Sequence, residues 1–210
     1  YVYAGNNPIR NFDINGDSIT VLNLGSGANQ HLALLIQNDK GKWQYYSVNG
    51  DNVYVSGKFS GGRKFDDLAV GKFDSPQQFL ESVYNSKGDS DDKSINYYEF
   101  TEGYIIPTTQ DQDETIRNTF TNIANNEEYR LDPSNPNHCG TAVQRSLTAA
   151  GIEVRSLEII PGRTVTNRST GGDSYTYPTR TLRGNSYLPS TIFKDIRQNN
   201  PQGSYIKKNK

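Results

Sequence analysis

The alternation of apolar and polar residues near the start of the chain predicts strands of a β-sheet. Residues 18–24 (SITVLNL) alternate, whereas residues 31–37 (HLALLIQ) are apolar at nearly every position after the first. The turn residues 38–41 (NDKG) lead into residues 42–48 (KWQYYSV), and together these segments predict a β-hairpin. Further strands are predicted at residues 53–59, 95–106 and 154–160.

Apolar residues at helical spacing predict four helices in the rest of the chain. Ser75 and Pro76 provide an N-cap and a first-turn proline for a short helix. The other helices are predicted at residues 111–125, from about Cys139 to Gly151, and at residues 189–199. Residues 162–185 are polar and predict a long loop, which either forms one wall of a cleft or is a surface loop without fixed structure.

Composition narrows the class of protein. The 210 residues fit one domain, and 14 tyrosines with 8 phenylalanines can build a core although only 33 % of residues are hydrophobic. A net charge of −1 gives no electrostatic attraction for nucleic acid or an anionic membrane. No apolar run approaches the roughly 20 residues that cross a bilayer. We therefore expect no nucleic-acid partner and no membrane span.

The chain contains one cysteine and two histidines, which limits its possible chemistry. A single cysteine excludes an internal disulfide framework and a cysteine-based zinc cluster. Two histidines do not suffice for a histidine-rich metal site. We therefore expect neither a metal nor another cofactor.

Cys139 is the candidate nucleophile because it lies at a predicted helix start, after a loop rich in Asn and Pro. Unpaired N–H groups and the positive end of the helix dipole favour the thiolate there, which predicts a lowered cysteine pKa. The backbone N–H groups around Gly140, with that of Cys139, can hold the oxyanion of a tetrahedral intermediate. The alternative is that Cys139 is a small core residue, since it lies on or beside the apolar face that includes Val143.

A thiol nucleophile needs a base, and His31 is the better placed of the two histidines. His138 is the chain neighbour of Cys139, and adjacent side chains on a helix diverge by about 100°. We therefore interpret His138 as a loop or cap residue. His31 begins the most hydrophobic predicted strand, which offers a stiff platform for a base, although it could instead be an ordinary histidine at a strand edge.

A third residue should orient the imidazole of His31. If Gln37 pairs with Lys42 in the predicted hairpin, His31 lies opposite Val48, and its nearest polar neighbours are Ser47 and Asn49. We select Ser47 as the third residue of the site and keep Asn49 as the alternative.

The first 16 residues resemble the end of a known protein segment. The sequence YVYAGNNPIRNFDING is similar to the closing motif of Rhs/YD-repeat core domains, Y-x-Y-x-G-N-N-P-x-x-x-x-D-P-x-G, with Ile14 in place of the usual proline. In that family a variable effector domain follows the motif. The resemblance implies that residues 1–16 end an Rhs-core-like segment and that residues 17–210 form a single effector domain.

A second resemblance covers most of residues 18–200. A strand of the form H-h-A-h-h-I, a hairpin to Y-Y-S, and N-x-C at a helix start about a hundred residues on resemble circularly permuted papain-like hydrolases, relatives of NlpC-type peptidases and lecithin retinol acyltransferase. Residues 188–200 resemble the tail of papain-like domains found after Rhs cores. The resemblance implies an α+β fold in which helices pack on an antiparallel sheet and the His31 strand precedes the Cys139 helix.

These observations predict a cysteine hydrolase of the peptidase, amidase or deamidase type, and the resemblance to Rhs proteins implies that it is delivered as a secreted bacterial effector or toxin. The expected partners are a protein or peptide substrate, such as a protein amide or a peptidoglycan peptide, together with an immunity protein and the upstream Rhs shell. We expect the domain to be a monomer. The alternatives are a binding or plug domain of an Rhs shell without enzymatic activity, and a lipid acyltransferase or esterase of the same fold.

Overall fold

The computed structural model of the chain describes residues 18–25, 30–49, 53–55, 58–60, 66–87, 99–131, 136–161, 163–167 and 173–209. The Rhs-like segment at residues 1–16 lies outside these ranges, so the predicted domain boundary stays a prediction.

The described residues form strands and helices in the following order. The strands are β1 (Ser18–Asn23), β2 (Leu32–Gln37), β3 (Trp43–Val48), β4 (Val53–Val55), β5 (Lys58–Ser60), β6 (Asp66–Phe73), β7 (Glu102–Pro107), β8 (Ser156–Ile160), β9 (Arg163–Asn167), β10 (Asp173–Tyr177), β11 (Arg180–Gly184) and β12 (Ser204–Lys207). The helices are α1 (Pro76–Glu81), α2 (Val83–Lys87), α3 (Gln110–Asn126), α4 (Cys139–Ala149) and α5 (Pro189–Asn199).

Six of these strands pair antiparallel into one sheet in the order β12-β7-β1-β2-β3-β6. In the two central strands, β1 and β2, every residue except Ser18 and Gln37 is buried. A strand covered on both faces has no solvent side, which explains why residues 31–37 lack polar alternation.

The two faces of the sheet carry different layers. Helices α3, α4 and α5 cover one face, where Leu32, Leu34 and Ile36 of β2 belong to an aliphatic core with the inward sides of the three helices. We call this the helix face. The other face packs against α1 and α2 and is rich in aromatic rings, chiefly those of Trp43, Tyr45, Phe79 and Phe100. We call it the aromatic face.

The β2–β3 hairpin closes one residue differently from the prediction. Gln37 pairs with Trp43 rather than Lys42. Asn38 N–H donates to the Lys42 carbonyl at 2.8 Å, and Gly41, with φ of +72°, completes a three-residue loop. The predicted register was wrong because it assumed a loop with an even number of residues. A left-handed glycine at the third loop position is typical of a three-residue loop. The shift matters for the site, since it moves Ser47 onto the same face as His31.

Helix α4 begins at Cys139, as predicted. His138 is its N-cap: the His138 backbone N–H donates to Thr141 Oγ1 at 2.7 Å, and the His138 side chain accepts from the Gly140 N–H. Gly151, with φ of +76°, follows the helix end in the left-handed conformation that glycine favours. The predicted interpretation of His138 as a cap residue is confirmed.

Two strand predictions need correction. The single strand predicted at residues 53–59 is a pair of short antiparallel strands, β4 and β5. The strand predicted at 95–106 is β7, which begins only at Glu102; residues 95–98 lie outside the described ranges.

The predicted long loop at residues 162–185 is also wrong for most of its length. Strands β9 and β10 pair antiparallel, β8 and β11 pair antiparallel, and both ladders share one register, so together they form an extended two-stranded ribbon. The segments RTVTN and DSYTY alternate threonine with tyrosine and valine, which favour strands although several of them count as polar. Within this ribbon, the side chains of Thr164 and Thr176 are exposed.

The α+β class with an antiparallel sheet and packed helices is confirmed. Over the ranges described above, none of the helices combines the length and the apolar character that crossing a membrane requires.

Candidate active site

His31 and Ser47 form a buried hydrogen bond at one end of the sheet. Nε2 of His31 lies 2.8 Å from Oγ of Ser47, and the two residues are only 5 % and 0 % exposed. His31 directly precedes β2 and Ser47 lies in β3, on the aromatic face, where the His31 ring lies 5.8 Å from that of Phe100. The structure thus brings together the predicted base and the predicted third residue.

The hydroxyl of Ser47 extends this contact to Tyr45, two residues earlier on the same face of β3. A hydroxyl can accept from the N–H of Nε2 and donate its own hydrogen to a second oxygen. Burial raises the pKa of Tyr45, so its phenol stays neutral. If Nε2 carries the hydrogen that His31 shares with Ser47, Nδ1 is the nitrogen that can take up a proton.

Cys139 lies in the first turn of α4, with its thiol buried. The backbone N–H groups of Leu32, Gly140 and Cys139 itself, and the hydroxyl of Tyr129, face the sulfur closely enough to act against the raised pKa of the thiol. Leu32 is the residue directly after His31. The thiol of the candidate nucleophile therefore contacts the backbone beside the candidate base.

The position of Leu32 explains how a helix on one face of the sheet approaches a histidine on the other. The ladder between β2 and β3 begins at the Leu34–Tyr46 pair, so Leu32 lies beyond its end. Its N–H faces the Cys139 sulfur instead of a strand. The charge of a Cys139 thiolate also raises the pKa of Tyr45, a residue of the aromatic face. The thiol thus lies where the sheet ends.

The start of β2 is also tied to the start of α5. The backbone N–H and the hydroxyl of Ser190 donate to the side-chain oxygen of Gln30 at 3.1 and 2.8 Å. Gln30 directly precedes His31, so this contact fixes the chain just before the candidate base. Helix α5 has no side-chain cap from its own N-cap residue, Leu188, which leaves its first-turn N–H groups available for such a bond.

Burial sets the protonation of the site. It lowers the pKa of His31 to about 4, and the nearby His138 adds a smaller lowering effect. Burial also raises the pKa of the Cys139 thiol, against the opposing effect of the four hydrogen-bond donors. The predicted lowering of the cysteine pKa is therefore wrong in its net direction. The donors act as expected, but loss of water outweighs them, so thiol and imidazole are both neutral near pH 7.

His138 and Gly140 form the rest of the helix start. Nδ1 of His138 accepts a hydrogen bond from the Gly140 N–H at 3.1 Å. The His138 ring also packs edge-on against Tyr187, with 4.9 Å between ring centroids. A Cβ at Gly140 would crowd its neighbours, lying 2.9 Å from Ile192 Cδ1 and 3.2 Å from His138 Cε1, so the Ile192 side chain would have to shift.

Sequence reasoning named Cys139, His31 and Ser47 but not Tyr129 or Tyr45. Tyr45 could have been found, because it lies two residues before Ser47 and so shares its strand face. Tyr129 could not, since it reaches the thiol from the segment before α4, which is fixed by the isolated Arg130–Asn137 bridge. Asn49, the alternative third residue, lies one residue beyond the end of β3.

Among the described residues, no three histidine, cysteine, aspartate or glutamate side chains are grouped so that they could hold a metal ion. Comparison with known proteins finds no matching family model, no matching curated protein and no matching solved structure.

Proposed function

We propose that this chain is a cysteine hydrolase that acts on amide or related acyl bonds, with Cys139 as nucleophile, His31 as base and Ser47 as the residue that orients the imidazole. One observation carries the proposal: the Cys139 sulfur faces the backbone N–H of Leu32, the residue after His31, and Nε2 of His31 lies 2.8 Å from Oγ of Ser47. Acyl-transfer sites place a base beside the nucleophile and an orienting residue against the base, and this order of neighbours along the chain and the sheet supports the same assignment here.

The reaction begins from a neutral pair. The Cys139 sulfur attacks the carbonyl carbon while its proton passes to Nδ1 of His31, and the carbonyl π electrons move to oxygen. The C–N or C–O bond then breaks, and the leaving group takes the proton from His31. Water attacks the resulting thioester, with His31 as base again, and releases the acid and the thiol.

Tyr129 supports this chemistry from the solvent side. It is half-buried, whereas Cys139 is only 2 % exposed. Its hydroxyl faces the sulfur and so stabilises negative charge there when the proton leaves. A donor of this kind offsets part of the penalty that burial imposes on the thiolate.

The order of the elements supports a papain-like fold in circularly permuted form, since the His31 strand precedes the Cys139 helix. The Rhs-like residues 1–16 support a role as an effector domain delivered into a target cell. Within that role, a net charge of −1 without a basic wall-binding module favours a protein or peptide amide as substrate.

The second candidate is a domain that binds or plugs without catalysis, and burial of the thiol favours it. A structural cysteine is expected to be enclosed in apolar surroundings, and Cys139 is almost fully enclosed. This candidate predicts a thiol that reacts only after unfolding.

The test uses the full chain and two reagents. Iodoacetamide and p-nitrophenyl acetate are each added at pH 7, and mass spectrometry follows modification of Cys139. The hydrolase predicts a Cys139 acetyl thioester that forms and then hydrolyses, and that is lost in His31→Gln. Modification that appears only in denaturant, at the same rate in both proteins, would establish the binding domain instead.

A further inference from the structure

The helix start beside Cys139 contains a buried hydrogen-bond donor without an acceptor. His138 is 2 % exposed, and its Nε2 has no hydrogen-bond partner. Because Nδ1 accepts from the Gly140 N–H, the neutral ring must carry its hydrogen on Nε2. Burial lowers the pKa of His138 to about 4, which keeps the ring in that neutral form. Buried polar groups are rarely unpaired in native proteins, so this one needs an explanation.

Gly140 is one of the two residues, with Cys139, whose N–H groups the sequence predicts for the oxyanion, and its N–H is engaged. It lies 3.1 Å from His138 Nδ1 and also faces the Cys139 sulfur. His138 therefore accepts the Gly140 N–H that was predicted to bind the substrate oxygen. The opposite nitrogen of its ring, Nε2, carries an N–H of its own. His138 Nε2 is therefore a buried side-chain donor at the helix start that has no acceptor, as Gln144 Nε2 is further along α4.

The unpartnered nitrogen lies close to the first turn of α4. Cε1 of His138 would be 3.2 Å from a Cβ built on Gly140, and Nε2 is bonded directly to Cε1. The charge of His138 also reaches His31, where it contributes to the lowered pKa. The donor thus belongs to the same dry region as the base and the nucleophile. The T-shaped contact between the His138 and Tyr187 rings is at most a weak aromatic contact, which does not replace a hydrogen bond.

We propose that the Nε2–H of His138 donates a hydrogen bond to the oxygen of the acyl group that Cys139 attacks, an assignment that rests on the proposed function. When the sulfur bonds to carbon, negative charge moves onto that oxygen, and the proton of the thiol passes to His31. The Nε2 of His138 keeps its proton throughout and stabilises the negative charge on the oxygen by hydrogen bonding. A fixed donor in a dry site is suited to this role, since it does not have to reorient during the reaction.

The test depends on a substitution that separates the two nitrogens. His138→Asn places an amide oxygen where Nδ1 accepts from Gly140, and asparagine is among the best N-cap residues, so the helix start is kept while the donor is lost. His138→Gln does the opposite: it can place an amide N–H near the position of Nε2 but no longer caps the helix.

In the full chain, acetylation of Cys139 by p-nitrophenyl acetate is compared with alkylation by iodoacetamide. Acetylation passes through an oxyanion, whereas alkylation does not, so the ratio of the two rates cancels any change in thiol ionisation. Loss of one such donor typically costs about 100-fold or more. We expect that fall in the ratio for His138→Asn at an unchanged melting temperature, and a smaller fall for a folded His138→Gln.

The possible results separate this inference from the proposed function. An unchanged ratio in folded His138→Asn overturns the role of His138 while Cys139 stays the nucleophile. If His138→Asn does not fold, a folded His138→Gln decides. A ratio of acetylation to alkylation at or below one hundredth of the wild-type ratio in that variant overturns the role. Absence of Cys139 acetylation in the wild-type chain, with normal alkylation, overturns the proposed function and this role together.

Discussion

The two histidines of this chain occupy similarly dry surroundings but use their ring nitrogens differently. His31 at the start of β2 bonds to Ser47 through Nε2, whereas His138 at the start of α4 uses Nδ1 as a helix cap and leaves Nε2 unpaired. Burial lowers the pKa of both to about 4. The difference teaches that equal burial does not give equal function: which nitrogen is engaged determines whether the ring can act as a base or as a donor.

The largest expected effect comes from a substitution that removes the basic nitrogen of His31 but keeps a donor to Ser47. His31→Gln can retain an amide near Nε2 to contact Ser47 but has no group that accepts a proton at Nδ1. We expect Cys139 acetylation to fall by about 10²- to 10⁴-fold, the usual contribution of a general base. Stopped-flow release of p-nitrophenolate measures it, with circular dichroism as the folding control. Equal rates in the wild type and in a folded His31→Gln would show that His31 is not the base.

The pH dependence of stability should reveal both histidines at once. Each has a folded-state pKa near 4 and an ordinary value of 6.5, so the unfolded chain binds protons that the folded chain does not. The free energy of unfolding should therefore be fully retained above about pH 6.5 and fall as the pH decreases toward 4. Each histidine adds a slope of at most about 1.4 kcal/mol per pH unit.

Urea denaturation at several pH values measures this slope, and the variants sharpen the comparison. His31→Gln and His138→Asn should each remove one part of the slope, because each removes one titrating ring. A slope that is the same in both variants and in the wild type would assign the effect to carboxylates, and would contradict the neutral state inferred for the site.

Ser47→Ala should destabilise the folded protein by making His31 resemble His138. The substitution leaves a second buried Nε2–H without its partner, and such a group costs about 1–3 kcal/mol. Acetylation of Cys139 should also slow, because the imidazole loses the contact that fixes its tautomer. Ser47→Thr, which keeps the hydroxyl, is the matched control. If Ser47→Ala and Ser47→Thr unfold at the same urea concentration, the 2.8 Å contact makes no measurable contribution to the free energy of unfolding.

The parts of the site that could be predicted from the sequence are those governed by local rules. A cysteine after an Asn/Pro loop and before an apolar helical pattern is enough to predict its place in the first turn of α4. A histidine at the head of an apolar run is likewise enough to place His31 at the start of a buried strand. Both positions depend on short-range periodicity and turn chemistry, which one sequence expresses directly.

Other features depend on long-range geometry, and sequence reasoning failed on them. The choice of Ser47 agrees with the observed contact, although the register behind it would have placed Ser47 and His31 on opposite faces. The correct register depends on the left-handed Gly41. The direction of the cysteine pKa depends on enclosure by segments distant in sequence, and local donors could not predict it. The β-ribbon was missed because threonine and tyrosine were counted as loop residues.

The smallest effect expected is that of His138→Ala on stability, and its size distinguishes the two histidines. Loss of an N-cap typically costs about 1 kcal/mol. Here the same change also removes an Nε2–H that is already unpaired, which offsets part of that cost. We therefore expect His138→Ala to lower the free energy of unfolding by less than Ser47→Ala does, and His138→Asn to be at least as stable as the wild type in urea. A His138→Ala loss larger than that of Ser47→Ala would mean that Nε2 of His138 is hydrogen-bonded in the folded protein, and would remove the contrast between the two rings. With that contrast removed, the case for His138 as the oxyanion donor would fall and the roles of Cys139 and His31 would stand.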